Sequence, residues 1–346
     1  MSACWKSLAA LPEVSVQIVA QGGRNSDKSD PAFSSAVLDG LNCELYAESP
    51  SSERIVVVMQ EFQPDVVVVS GWYIPGYLKA IRQSLPQEAK LVVCSDNPIQ
   101  FSWRQRLAPL KIGWLRRRAD LWAVPGERAF QLMKFWGVPD AKIKKGLYGI
   151  DASPLTAVAS ARPTRCDEWP RRFAFVGRYN ARKGVDILLH AYDTYRQSVS
   201  DPWELVCCGR GELESTLMGR DGVVDVGFVQ PDDLPAFLAK SSVFVLPSRH
   251  DAWPLAIVEA CAAGMPIICT STCGSSAELV RDEYNGSIVV PDDVKTLTRA
   301  MIRMHHRSQD LPAFGKRSEV LAGAYAADVW AIKWQTMLTD LREVNA

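Results

Sequence analysis

Short apolar runs rich in β-branched residues alternate along this chain with longer stretches of helical periodicity. The first half offers candidate strands at residues 15–20, 65–70, 90–94, 121–124 and 146–150. The second half offers them at 173–176, 204–208, 223–226, 243–246, 266–269 and 286–290. Strands this short and this uniformly apolar belong in parallel sheets covered on both faces. Repeated strand–helix–strand units then build doubly wound α/β domains. Residues 152–170 are rich in Ser, Pro, Ala and Arg and read as a linker. The expected architecture is therefore two Rossmann-like domains facing a cleft, at residues 1–155 and 171–322, with a terminal helix in 323–346. Ligands should bind at the carboxyl ends of the strands, facing that cleft.

The beginning of the chain breaks the pattern. Residues 1–11 read as a helix, and the first strand follows only at 15–20. A doubly wound domain normally opens on a strand that becomes central in its sheet. The first strand of the N-terminal domain is therefore expected to be missing, through a start assigned downstream of the true one or through trimming. The alternative is that another segment fills its place.

Bulk properties narrow the function classes. The chain has 346 residues, 47% hydrophobic and 23% charged, enough for two domains with real cores. A formal net charge of zero gives no global attraction for nucleic acid. The nine cysteines are scattered and form no CxxC pair, as expected of reduced, mostly buried thiols in a cytoplasmic protein. No apolar run approaches membrane-spanning length.

Chemistry concentrates in the strand-end loops of the second half. After the strand at 173–176 come Gly177, Arg178, Arg182 and Lys183, ahead of a helix starting near Gly184 or Val185. Cations beside a helix N-terminus suit a phosphate; alone, they could equally be an exposed basic loop. Gly209 and Gly211 follow the next strand, where glycine permits close approach of backbone to a ligand. Phe228 and Val229 could pack a base or offer it backbone groups, ahead of a helix cap from Asp232 or Asp233. The stretch 248–264 sets Asp251 and Glu259 around a helix start, with Pro254 as first helical residue and Gly264 as stop. Glu259 then lies on a stripe with Leu255 and Ala263. There it is either satisfied by its own backbone or kept for a ligand rich in hydroxyls. Ser275 and Glu278 fit a capping box.

Five stretches, GRYNARKG, CGRGELE, VGFVQPDDL, VFVLPSRHDAWPLAIVEACAAGMPII and CGSSAELV, fall in order between residues 173 and about 290. Together they resemble the donor-binding domain of family-4 retaining glycosyltransferases with the GT-B fold. The first half is similar more loosely, through PDVVVVSGW, KLVVCSDN, RRADLWAVPG and GVPDAKIKKGLYGID. The resemblance implies that Arg178 and Lys183 grip a donor diphosphate, that Glu259 holds ribose hydroxyls and that Asp251 contacts the transferred sugar. Backbone groups of Trp253, Pro254 and Leu255 would lie against the sugar and phosphates. Asp251 stands where the family usually has Glu, one methylene longer, and so bears on which sugar is moved. Asp96 and Asn97 stand where the family often has a His in the acceptor domain. The family's terminal helix commonly crosses back onto the first domain.

The resemblance implies a metal-independent transferase. It would move a sugar, with retention, from a nucleotide-diphosphate sugar to a hydroxyl of a glycan or lipid-linked acceptor, as in polysaccharide biosynthesis. No D-x-D triplet, a frequent metal-diphosphate motif of the other major glycosyltransferase fold, occurs in the chain. No cofactor, metal or nucleic-acid partner is expected. Residues 103–118 interleave Trp103 and Trp114 with Arg104, Arg106, Lys111 and Arg116 to Arg118. They could rest on the inner face of a membrane or form an ordinary surface helix. A GT-B phosphorylase, a nucleotide-sugar epimerase and a non-catalytic nucleotide-binding subunit are the competing readings.

Overall fold

The computed structural model describes residues 1–21, 38–46 and 48–343. The chain divides into two compact units, residues 1–149 with 327–346, and residues 150–326.

In the first unit, α1 (Ser2–Ala9) precedes β1 (Ile18–Gln21), β2 (Cys43–Tyr46), α2 (Ser52–Phe62), β3 (Val66–Val69), α3 (Pro75–Ser84) and β4 (Lys90–Cys94). Then come α4 (Trp103–Arg118), β5 (Leu121–Val124), α5 (Glu127–Phe135) and β6 (Ile143–Lys145). The sequence dictates the boundaries locally. Ser51 accepts a hydrogen bond from the Arg54 amide and caps α2. β3 is four valines, all but one half-buried.

Strands β3-β4-β5-β6 form one parallel sheet, and β1-β2 form a second, two-stranded one. Among the described residues β1 pairs only with β2, and β3 lies at the edge of its sheet. An apolar slot of about 160 Å³ is lined by both, through Val19 and Val66 to Val69, and by Ile55, Val58 and Met59 of α2. The Tyr77 hydroxyl reaches in and donates to the Val19 carbonyl at 3.1 Å.

The first unit is completed by α13 (Ala327–Glu343), which packs on α1. Trp330 and Trp334 stack at 4.9 Å, and Trp5 meets them edge-on at 5.2 and 5.8 Å. Their indole N–H groups donate to the carbonyls of Leu147 (3.1 Å) and Gly146 (2.9 Å), so the helix is pinned by both packing and hydrogen bonds. Residues 327–346 thus belong to the first compact unit. Residues 344–346 of the expected element, like 22–37 and 47 of the first domain, lie outside the described residues.

The second unit runs α6 (Ser153–Ala161), β7 (Arg172–Val176), α7 (Val185–Ser198), β8 (Glu204–Cys208), β9 (Val223–Asp225), α8 (Leu234–Ala239) and β10 (Val243–Leu246). It continues with α9 (Leu255–Ala262), β11 (Ile267–Thr270), α10 (Ser276–Leu279), β12 (Gly286–Val289), α11 (Val294–His306) and α12 (Leu311–Ala322). Its six strands are ordered β12-β11-β10-β7-β8-β9, all parallel. Phe173, Phe175, Phe244, Tyr192 and Tyr195 are fully buried in its core.

Two expectations need correction. The linker at 152–170 contains a helix, α6, that belongs to the second unit. Pro154 is tolerated in the first turn, the alanines that follow favour helix, and Leu155 is buried. Arg162 then donates to the carbonyls of Ala263, Ser241 and Leu238 at 2.6 to 3.1 Å, fastening the segment down. The unit boundaries accordingly fall at 149/150 and 326/327 instead of near 155–171 and 322. The strand expected at 146–150 is displaced to β6. There the ladder ends because the Gly146 and Leu147 amides converge on one carbonyl, Val124, at 2.8 and 3.1 Å.

Candidate functional site

In the second unit the chain leaves β7 toward β8 and β9 on one side, then returns to build β10, β11 and β12 on the other. β7 and β10 are neighbours, so the sheet order reverses between them. Loops diverge at the carboxyl ends of such a pair and leave a place for a ligand.

The loop after β7 makes a tight turn, Ala181–Lys183, capped by the Asn180 side chain accepting from the Lys183 amide at 2.9 Å. Gly184 follows in the left-handed region, φ 73°, and opens α7. A Cβ there would stand 2.1 Å from the Pro247 carbonyl oxygen of the loop after β10. The two loops therefore touch backbone to backbone at a point only glycine allows. Arg178 and Arg182 are exposed beside this turn. The fourteen-residue α7 presents its N-terminus here, so the positive end of the helix dipole and three cations share one place.

The loop after β10 supplies the partner charges. Lys183 Nζ donates to Asp251 Oδ2 in an ion pair whose side chains are only 17% and 11% exposed. Asp251 is held from behind, since its amide donates to Thr272 O (3.4 Å) and its carbonyl accepts from Gly274 N (2.8 Å). Arg249 ties the loops together. Its guanidinium donates to both carboxylate oxygens of Asp186, at 2.8 and 2.7 Å, and also to Ala181 O and Asp292. The Arg249 amide adds a bond to Arg182 O at 2.9 Å. This arginine holds the Asp186 carboxyl below the usual carboxylate range.

Glu259 sits in the second turn of α9 and keeps partial access to solvent. Burial pushes its carboxyl up to about 7.

The glycine turn has a different basis from the expected one. A Cβ on Gly209 would meet Gly177 O at 2.0 Å, so the chain's own neighbouring loop, rather than an incoming ligand, dictates glycine. Phe228 and Val229 follow β9, half-buried, and Val229 lines an apolar cavity of about 410 Å³ with Val206, Val224, Val226 and Phe237. Trp253 is buried 6.0 Å from the Tyr325 ring.

Three local expectations fail. Pro254 is the N-cap of α9 at ψ 107°, and the helix proper starts at Leu255. Ser275 forms no capping box; its hydroxyl donates to Pro254 O at 3.3 Å, because α10 is a single turn and α9 offers a nearer carbonyl. Asp233 precedes α8 without a side-chain cap, since the short turn Pro231–Asp233 already leads into the helix.

Asp96 lies in the first unit, after β4, where it accepts a hydrogen bond from the Tyr148 hydroxyl at 3.1 Å. Asn97 donates to Tyr73 Oη, also at 3.1 Å. Sequence reasoning missed Arg249, Asp186 and Tyr179, whose hydroxyl donates to Asp225 at 2.7 Å. Arg249 lies within the stretch 248–264, but its partner is 63 residues away and nothing local signals the pair.

Two Rossmann-like units, each built on a parallel sheet, are the architecture of the GT-B fold class. Residues 170–307 match the family described as Glycosyl transferases group 1. It is 33% identical over 160 residues to an exopolysaccharide phosphotransferase of Streptomyces coelicolor, covering 44% of this chain and 17% of that one. To the D-inositol 3-phosphate glycosyltransferase of Salinispora tropica it is 30% identical over 186 residues, 49% of this chain and 37% of the other. The sulfoquinovosyl transferase SQD2 of Arabidopsis thaliana is 23% identical over 332 residues, 87% and 61% of the two chains. The chain thus spans between 17% and 61% of the length of these relatives. Among solved structures, HepE of Anabaena in complex with UDP superposes with a TM-score of 0.69 at 15% identity, over 87% of this chain and 86% of that one. The lipopolysaccharide outer core galactosyltransferase WaaB superposes with a TM-score of 0.66 at 15% identity, over 92% and 88%.

Proposed function

We propose that this protein transfers a sugar, with retention at the anomeric carbon, from a nucleotide-diphosphate sugar to a hydroxyl of a glycan or lipid-linked acceptor. The carrying observation is the meeting of Lys183 and Asp251 at the switch point between β7 and β10, beside the N-terminus of α7. In this reading Arg178, Arg182, Lys183 and the α7 amides hold the donor diphosphate, with no metal required. Lys183 turns from Asp251 to the phosphates when donor binds, and Asp251 turns to hydroxyls of the sugar. Glu259 accepts from the ribose hydroxyls, while Gly177, Phe228, Val229, Trp253 and Leu255 complete the donor pocket. Gly209 and Gly211 act by letting the loops stack.

The reaction passes through an oxocarbenium-like state as the bond from anomeric carbon to diphosphate oxygen breaks. Negative charge grows on the departing diphosphate, where preorganised cations lower the barrier most. Loss of one such donor costs roughly 10²–10³ in rate. The acceptor hydroxyl passes its proton to a diphosphate oxygen, so no strong protein base is needed, and Asp96 lines the acceptor side. UDP in the solved complex of HepE supports a nucleotide donor. The place of action in this reading is the cytoplasm, in contact with the inner face of a membrane. Among the described residues no helix is long and apolar enough to cross one. A panel of nucleotide sugars, scored by nucleotide release and by thermal shift, tests the reading; no release and no shift with any donor would overturn it.

A further inference from the structure

Helix α4 carries two apolar stripes, and only one of them is used by the fold. Ala108, Ile112 and Leu115 face inward and join the core of the first unit. The other stripe is formed by Trp103, Leu107 and Leu110, spaced by four and three residues so that they share one face. These side chains are 67%, 52% and 83% exposed, and Phe101, just ahead of the helix, is 63% exposed. An isolated exposed leucine needs no explanation, but a contiguous apolar helix face does.

The stripe is set in positive charge. Arg104, Arg106, Lys111 and Arg117 are exposed on the same helix, whose sixteen residues include no Asp or Glu. The Arg104 guanidinium lies over the Trp103 ring at 5.5 Å from its centroid. Among the described residues the helix makes one ion pair, Arg118 with Asp120 at 3.0 Å. The helix is also well anchored from below. Pro109 removes an amide and frees the Gln105 carbonyl, which accepts from the Trp136 indole at 2.8 Å. Arg116 donates to the Trp136 carbonyl. The outward face is thus held by a rigid scaffold.

We propose that this outer face of α4 docks on the surface of an anionic lipid bilayer. Trp103, Leu107 and Leu110 enter the boundary between headgroups and acyl chains, and the flanking cations meet headgroup phosphates. Charge selects this occupant. A second copy of the chain would oppose cation to cation across the same face, whereas an anionic leaflet neutralises all four. The inference deepens the reading of a membrane-proximal transferase and rests on it for its biological sense. Docking itself requires no donor, so the two can fail separately.

The test is co-sedimentation of the full chain with vesicles of phosphatidylglycerol mixed into phosphatidylcholine, or of phosphatidylcholine alone. The wild type pellets with the anionic vesicles, is released at about 1 M salt where screening reaches ~3 Å, and stays in solution with neutral ones. Leu107→Ser with Leu110→Ser lowers partitioning on the order of tenfold, and Arg104→Glu with Lys111→Glu abolishes it. Both variants keep the wild-type melting temperature and thermal shift with nucleotide, which separates lost docking from lost folding or a failed donor site. Equal pelleting with neutral vesicles, or unchanged pelleting of the serine variant, overturns the proposal. So does a wild-type dimer that the serine variant converts to monomer.

Discussion

Lys183 and Asp251 stand 68 residues apart in the chain and form an ion pair between the loops that follow β7 and β10. The pair lies where the sheet order reverses, and both side chains are largely withdrawn from water. Removing one partner would strand the other charge in a poorly solvated place. Lys183→Met and Asp251→Asn should each lower stability by up to about 3 kcal/mol, with the double variant less destabilised than the sum. Chemical denaturation of the four proteins measures that coupling; strict additivity would mean the pair contributes nothing.

Glu259 makes the ligand-free protein pH-sensitive. Its carboxyl is raised to about 7, so between the ordinary carboxylate range and about 7 the native state holds a proton that the unfolded chain releases. Stability from this group is present at low pH and declines as pH rises through that window. Glu259→Gln removes the decline, and thermal melts of the two proteins across the window should converge at its acidic end and separate at its basic end. Hydroxyl donors favour the ionised form, so nucleotide affinity of the wild type rises with pH through about 7. Isothermal titration with a nucleoside diphosphate checks this, and a flat profile would argue against Glu259 as the ribose contact.

Arg249 acts through the loops it joins. Its two-pronged contact with Asp186 cannot be reproduced by a lysine, which offers a single point charge. Arg249→Lys should lower kcat more than it raises KM, by letting the Lys183 turn shift, while leaving the sheet intact. The Asp186 carboxyl is held below its usual range, so its contribution to stability is present above the ordinary Asp pKa and lost as pH falls beneath it. In Arg249→Ala that acid limb should flatten.

Gly184 is required twice over, by its positive φ and by the Pro247 carbonyl 2.1 Å from any added Cβ. Gly184→Ala should cost at least about 1 kcal/mol from backbone conformation alone. It should also separate the two loops, lowering the melting temperature and weakening nucleotide binding together. A variant that melts like the wild type would show that the loops can part freely.

Much of the second unit was legible because its strands are short, apolar and punctuated by glycine at the places where loops must turn. The carboxyl-end loops followed from that alternation alone. The features that escaped were set by tertiary partners. The segment containing Ser153, Pro154 and Arg162 has the composition of a linker, and only the pocket under Leu155 and three carbonyls waiting for Arg162 make it a helix of the domain. Gly209 looked like a place for a ligand, yet the space beside it belongs to Gly177. Ser275 had the spacing of a cap, but a carbonyl from another helix lies within its reach. In each case a local signal was right about conformation and silent about the partner.

The central claim is that Lys183, at the switch point, grips a donor diphosphate without a metal. Isothermal titration of nucleoside diphosphates in excess chelator, for wild type and Lys183→Met, tests it most directly. The wild type should bind, and the variant should lose on the order of tenfold or more in affinity, as expected for a charge-assisted contact to phosphate. Equal affinity in the two proteins, or binding that needs a divalent cation, would contradict it.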